Sequence, residues 1–223
     1  MKPLVCLATA LLAGCAALGS PRTGLPYDAW RLGFLAPSYM EVWLETADVE
    51  DVQGRIFNGA MSGTVAINYS GDPTGWPQPV GWGKGRNITG GALPQRIYVR
   101  WQSLAEPQTY RAVLHIPASA RQRMREKAPS MRPPIKYEYQ EALAIGLAPG
   151  GWIRAWVMSP SSTPVEILCQ KAEIEPKGPD EGRNQGQYAY AFDQLEPAAQ
   201  RYITSHPIPY ESWKCPAATA SVQ

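Results

Sequence analysis

From Gln95 to Gln102 the chain reads Gln-Arg-Ile-Tyr-Val-Arg-Trp-Gln. On an extended backbone this sends Ile97, Val99 and Trp101 to one side and Arg96, Tyr98 and Arg100 to the other. A helix would scatter those apolar residues around its circumference, so the segment is expected to be a half-buried β-strand. The same two-residue period recurs over 27–35, 40–46, 63–69 and 109–116. Segments 137–147 and 152–158, separated by Ala148-Pro149-Gly150-Gly151, read as a hairpin, and 165–174 reads as a further strand.

Twenty-two Pro and 20 Gly break the chain too often for long helices, while eight Trp and eleven Tyr against three Phe suit half-buried sheet faces. Only two stretches look helical. Residues 117–127 open on Pro117 and carry one turn-spaced apolar pair, Ala120 and Met124; residues 197–205 begin at Pro197 and stop before Pro207. With no βαβ alternation, the expected fold is mainly β: an antiparallel β-sandwich or barrel-like domain over 27–223, with two short helices. Residues 70–94 are dense in Gly and Pro, show no period and hold Trp76 and Trp82; long aperiodic segments of this kind are often functional.

The N-terminus carries an address. Lys2 is followed by an apolar run from Leu4 to Ala13, the layout of a secretory signal peptide and too short to span a bilayer, which takes roughly 20 apolar residues. Leu12-Ala13-Gly14-Cys15 resembles a lipobox. Cleavage after residue 14 would leave Cys15 as a lipidated N-terminus bearing palmitate, with 15–26 as a tether of small residues, Pro and Gly. Ala16 stands where Asp is the usual inner-membrane retention signal, so the expected place is the periplasmic face of the outer membrane.

Of four cysteines, Cys6 leaves with the signal peptide and Cys15 takes lipid, so Cys169 and Cys215 remain. In an oxidising compartment they are expected as a disulfide, stabilising by roughly 4 kcal/mol through loop-closure entropy. The net charge of +2 lacks the basic footprint of a nucleic-acid binder.

Chemistry-bearing patterns are sparse. There is no G-x-S-x-G elbow, and His115 and His206 sit at the expected ends of a strand and a helix. Glu41, Glu45, Asp48, Glu50 and Asp51 match no Ca²⁺-loop spacing and read as a solvated strand end. Gly81–Gly91 lacks the G-K-[ST] of a phosphate loop. No catalytic, cofactor-binding or metal-ligating residue is therefore expected. The remaining signal is Trp and Arg, the residue types enriched at binding hot spots. Trp76, Trp82, Arg96 and Arg100 are the candidate partner-binding residues; the alternatives are that both tryptophans fold back to cap one end of the sheet and that the arginines decorate the sheet face opposite a core Trp101.

Tyr69-Ser70-Gly71-Asp72-Pro73-Thr74-Gly75-Trp76, the stretch Leu93–Arg111, Ile145-Gly146-Leu147-Ala148-Pro149-Gly150-Gly151-Trp152 and His206–Trp213 resemble a family of proteobacterial lipoproteins built on a domain of unknown function. The resemblance covers essentially the whole chain after the signal peptide and brings no catalytic residues with it. Some periplasmic lipoproteins of this general kind are encoded beside type VI secretion lipase effectors and act as their immunity proteins. The resemblance thus implies a lipid-anchored, non-enzymatic binding module whose partner is a secreted toxin. An envelope assembly lipoprotein, and a hydrolase with an unrecognised site, are the alternatives.

Overall fold

The computed structural model describes residues 23–217; the expected signal peptide, Cys15 and most of the expected tether lie outside the described residues. Twelve strands form in chain order. They are β1 (Ala29–Leu35), β2 (Val42–Asp51), β3 (Ile56–Thr64), β4 (Lys84–Thr89), β5 (Pro94–Ser103) and β6 (Gln108–His115). After helix α1 (Ala118–Arg125) come β7 (Lys127–Pro129), β8 (Tyr137–Tyr139), β9 (Ala142–Ala148), β10 (Trp152–Met158), β11 (Val165–Lys171) and β12 (Glu173–Ile174), and then α2 (Pro197–Ser205).

Two five-stranded sheets result, in the orders β11-β10-β9-β1-β4 and β12-β6-β5-β2-β3, with β7-β8 as a separate ribbon. The sheets face each other across one core. Trp30, Leu32 and Phe34 of β1 and Leu143, Ile145 and Leu147 of β9 meet Ile97, Val99 and Trp101 of β5 and Leu44 and Val49 of β2. The expected sandwich therefore forms, and neither sheet closes into a barrel. Both expected helices form as well. Ala120 and Met124 are the buried pair of α1, inserted into that same core.

Several expectations are corrected. β1 pairs with β9 in parallel, so the fold is not wholly antiparallel. The strand expected over 63–69 lies earlier, at Ile56–Thr64, where Gly59, Gly63 and polar residues blur the alternation; Ala66 makes only a single bridge to Leu35. Segment 70–94 contains β4, a polar edge strand with Ile88 as its one buried residue, too little apolar content to signal itself. The strand expected over 137–147 breaks into β8 and β9, and 165–174 breaks at Ala172 into β11 and β12, which belong to different sheets.

The outer face of the first sheet is covered too. β9 alternates large Leu143, Ile145 and Leu147 with small Ala142, Ala144, Gly146 and Ala148, and all seven residues are buried. Trp76 lies on the small face. A Cβ at Gly146 would come within 2.2 Å of its indole, so only glycine admits it. Trp156 meets Trp76 edge-on at 5.4 Å, and Trp213 Nε1 donates to the carbonyls of Pro73 (3.2 Å) and Gly75 (2.8 Å). Behind Trp213, Cys215 is bonded to Cys169 of β11, with Cα atoms 5.6 Å apart. The C-terminal segment thus clamps the long loop onto the sheet, and the disulfide holds the clamp.

Candidate functional site

The second sheet also carries a covering on its outer face, and here the covering is acidic and aromatic. Residues 175–196 form a strap across the distal half of that sheet, the half away from the strand end where β1 and β5 begin. Its backbone is fixed by outward side chains of β2 and β5 and by Glu41, just before β2. Glu45 accepts from the Asp180 amide (2.7 Å) and from Gln102 Nε2 (2.8 Å), Gln102 Oε1 accepts from the Ala189 amide (2.7 Å), and Glu41 accepts from the Glu196 amide (2.7 Å). Tyr188 donates its hydroxyl to the Pro107 carbonyl at 2.6 Å.

Under the strap lies an ion pair. Arg100 Nε bonds Glu45, and Arg100 Nη1 reaches Glu181 at 2.8 Å. The Arg100 and Glu45 side chains are 8% and 4% exposed, so both charges have left water and depend on each other. Burial pulls the guanidinium pKa down, but the bond to Glu45 and the charges of Glu45 and Glu181 outweigh it and hold it above the ordinary arginine value. Above the pair, Asp180, Glu181, Asn184 and Gln185 all have φ between 49° and 57°. Left-handed backbone costs roughly 1–2 kcal/mol per non-glycine residue, so this turn persists because the buried pair and the Glu45 bond hold it.

The strap ends in an alternation, Tyr188-Ala189-Tyr190-Ala191-Phe192, that divides the surface into two clefts. One, of about 460 Å³, is lined by Leu104, Pro107, Tyr188, Tyr190, Phe192 and Gln194. The other, of about 440 Å³, is lined by Trp43, Glu45, Gln102, Asp180, Asn184 and Tyr190. Trp43 and Tyr190 meet edge-on at 5.6 Å. Tyr190 and Phe192 stay exposed (37% and 45%), while burial raises the Tyr188 phenol above its ordinary pKa. Among the described residues no group of three His, Cys, Asp or Glu side chains is placed to hold a metal ion. The arrangement offers fixed aromatic surface, backbone acceptors and carboxylates.

Over residues 17–211 the sequence matches the family model described as "Protein of unknown function (DUF2931)". The chain belongs to this family. Neither the curated proteins nor the solved structures contain a match.

In this DUF2931 chain the candidate residues read from the sequence separate. Arg96 lies on the open half of the outer face, paired with Glu50. Arg100 is on that face as expected but is buried beneath the strap. Trp76 is 7% exposed and packs on Gly146, against the outer face of the first sheet. Trp82 is half-buried at the edge of the same layer, its ring 5.8 Å from the Arg31 guanidinium. The acidic cluster is no solvated strand end. Asp51 is fully buried and Glu45 nearly so, because each carboxylate is needed by backbone amides. His115 and His206 are exposed at the strand and helix ends expected for them.

Sequence reading missed Trp43, Tyr188, Tyr190 and Phe192. Their signal was the period-two aromatic run at 188–192, obscured by the polar residues preceding it. Their proximity to Trp43 is a product of the strap's path alone.

Proposed function

We propose that this protein is a non-catalytic binding module, exported with its first 14 residues as a signal peptide and held by lipid on Cys15 at the periplasmic face of the outer membrane. It captures a protein partner on the strap. The observation that carries this reading is the pair Tyr190 and Phe192, exposed above two clefts on a segment whose backbone is locked from below by the Arg100–Glu45 pair. Rigid aromatics bind with little loss of side-chain entropy, and a segment locked before binding leaves little ordering to be done on contact. Residues 172–196 carry Glu173, Glu175, Asp180, Glu181, Asp193 and Glu196 against Lys177 and Arg183, so the complementary partner presents basic and apolar surface. The lipobox and the resemblance to envelope lipoproteins support a partner met in the periplasm. The leading version is an immunity protein that blocks a toxin delivered there, a type VI secretion lipase effector.

The test is co-purification with the product of the adjacent gene, followed by affinities and thermal melts of variants. Tyr190→Ala and Phe192→Ala are each expected to weaken binding by about thirtyfold, the minimum for a hot-spot aromatic, while the melting temperature holds. Recovery of no partner, or affinities unchanged in both variants, overturns the strap as the binding surface.

A further inference from the structure

The end of the sandwich opposite the clefts has its own character. There the described chain begins, and Tyr27 packs edge-on against Tyr139 of β8 at 5.7 Å and donates its hydroxyl to the Met124 carbonyl of α1 at 2.7 Å. Beside this start, the β7–β8 ribbon projects a tongue. Its tip exposes Met131 (69%), Ile135 (47%) and Tyr137 (61%), three large apolar side chains within seven residues. Water around such a cluster is unfavourable, and the tongue does not fold back to hide it.

The tongue is also fixed in place. The Met131 amide donates to the Ser161 carbonyl (2.8 Å), the Ser130 amide to the Lys136 carbonyl (3.0 Å), and Glu138 accepts from Ser159 Oγ (2.7 Å) and the Ser161 amide (2.8 Å). Its charge is one-sided. Residues 117–139 hold six Lys and Arg against Glu126 and Glu138, a surplus of four in a chain whose net charge is +2. Arg123, Arg125, Lys127, Arg132 and Lys136 are exposed, and none of them is in an ion pair among the described residues.

We infer that the tongue and the adjoining face of α1 dock on the phospholipid surface that holds the anchor, with the apolar tip at the acyl boundary and the basic residues against anionic headgroups. The inference rests on lipidation at Cys15. Thr23 lies eight positions after Cys15, so the Cys15 backbone cannot lie more than about 29 Å from the start of the described chain, the same end as the tongue. A bound acyl chain leaves a domain free to swivel, whereas an adjacent patch of exposed apolar and cationic side chains fixes which face meets the bilayer. Docked this way, the strap points into the periplasm, where a soluble partner reaches it.

The experiment uses the mature chain exported behind an ordinary signal peptide, hence without lipid, and vesicles of phosphatidylcholine with or without phosphatidylglycerol. Co-sedimentation is expected with the anionic vesicles only, falling as salt rises. Arg132→Glu combined with Lys136→Glu should lower partitioning by at least about tenfold, since each surface cation contributes severalfold. Met131→Ser with Ile135→Ser should lower it similarly, and Tyr190→Ala on the opposite end should not change it. Thermal melts equal to wild type confirm that each variant folds. No co-sedimentation, equal binding to both vesicle types, equal binding by the tongue variants, or tongue-dependent self-association without vesicles overturns the proposal. Fatty-acid labelling of the full-length chain, compared with Cys15→Ser, tests the anchor separately. Label at Cys15 without tongue-dependent docking sinks the docking alone, and tongue-dependent docking without label sinks the anchor alone.

Discussion

Asp51 ends β2 and is fully buried, yet its carboxylate accepts from the amides of Gln53 (2.8 Å), Arg55 (3.0 Å) and Ala92 (2.9 Å) and pairs with the Arg55 guanidinium. It therefore ties the β2–β3 turn to the approach to β5. Burial raises its pKa, but the amide donors and Arg55 outweigh burial and hold it below the ordinary aspartate value. A carboxyl depressed in the fold stabilises fully above its unfolded pKa, about 3.9, and the contribution disappears as pH falls through the lower folded value. The melting temperature should accordingly change little near neutrality and drop below about pH 4, and Asp51→Asn should lower it at neutrality and soften the acid drop. An unchanged neutral melt would show that the three amides find other acceptors. At Gly146 the question is steric. Gly146→Ala would drive a methyl into the Trp76 ring and should cost about 1–3 kcal/mol, read from chemical denaturation.

Among the elements, the strap and the C-terminal clamp cover opposite faces of the molecule and are held by different chemistry. Glu45→Ala removes the partner of a buried Arg100 and the acceptor of the Asp180 amide together. Breaking a buried pair from one side typically costs about 3–5 kcal/mol, but here the strap can lift and let water reach Arg100. Limited proteolysis should then cut within 178–190 much faster than in wild type, with a smaller loss in melting temperature than a pure core defect would give. Cutting elsewhere first would place the weak point outside the strap. The clamp depends on a covalent bond closing a separation of 46 residues. Reduction of Cys169–Cys215 should lower stability by roughly 4 kcal/mol and speed exchange of amides around Trp213 and residues 70–80 before the β5–β6 ladder, as followed by hydrogen exchange.

At the scale of the whole molecule, charge and apolar exposure divide along the strands: a basic tongue at the end where the chain emerges, an acidic strap over the far half of the second sheet. Neither is visible in a net charge of +2, because the two surpluses nearly cancel. This separation makes orientation a property of the molecule as a whole. A Cys15→Ser chain should lose fatty-acid label and leave the membrane fraction when salt is raised, whereas the lipidated chain stays bound. Retention of label in the variant would rule out Cys15 as the attachment point.

Period-two alternation determined β5 and β6 from sequence alone, since side-chain direction in a strand depends only on parity, and the Ala148–Gly151 break located the β9–β10 hairpin. The two helix starts at Pro117 and Pro197, and the Cys169–Cys215 pair, were equally local or exclusive readings. Only the tertiary structure decided which face each outward residue meets. Arg100 and Arg96 have the same parity on one strand, yet one is buried and the other exposed because a strap more than 70 residues downstream crosses over just one of them. Trp76 looked like a loop anchor because a sequence does not display the small-residue groove of β9 that receives it. The strap's aromatic face was hidden for the same reason. Burial is a relation between distant segments, and alternation records only that a face is covered or exposed, never by what.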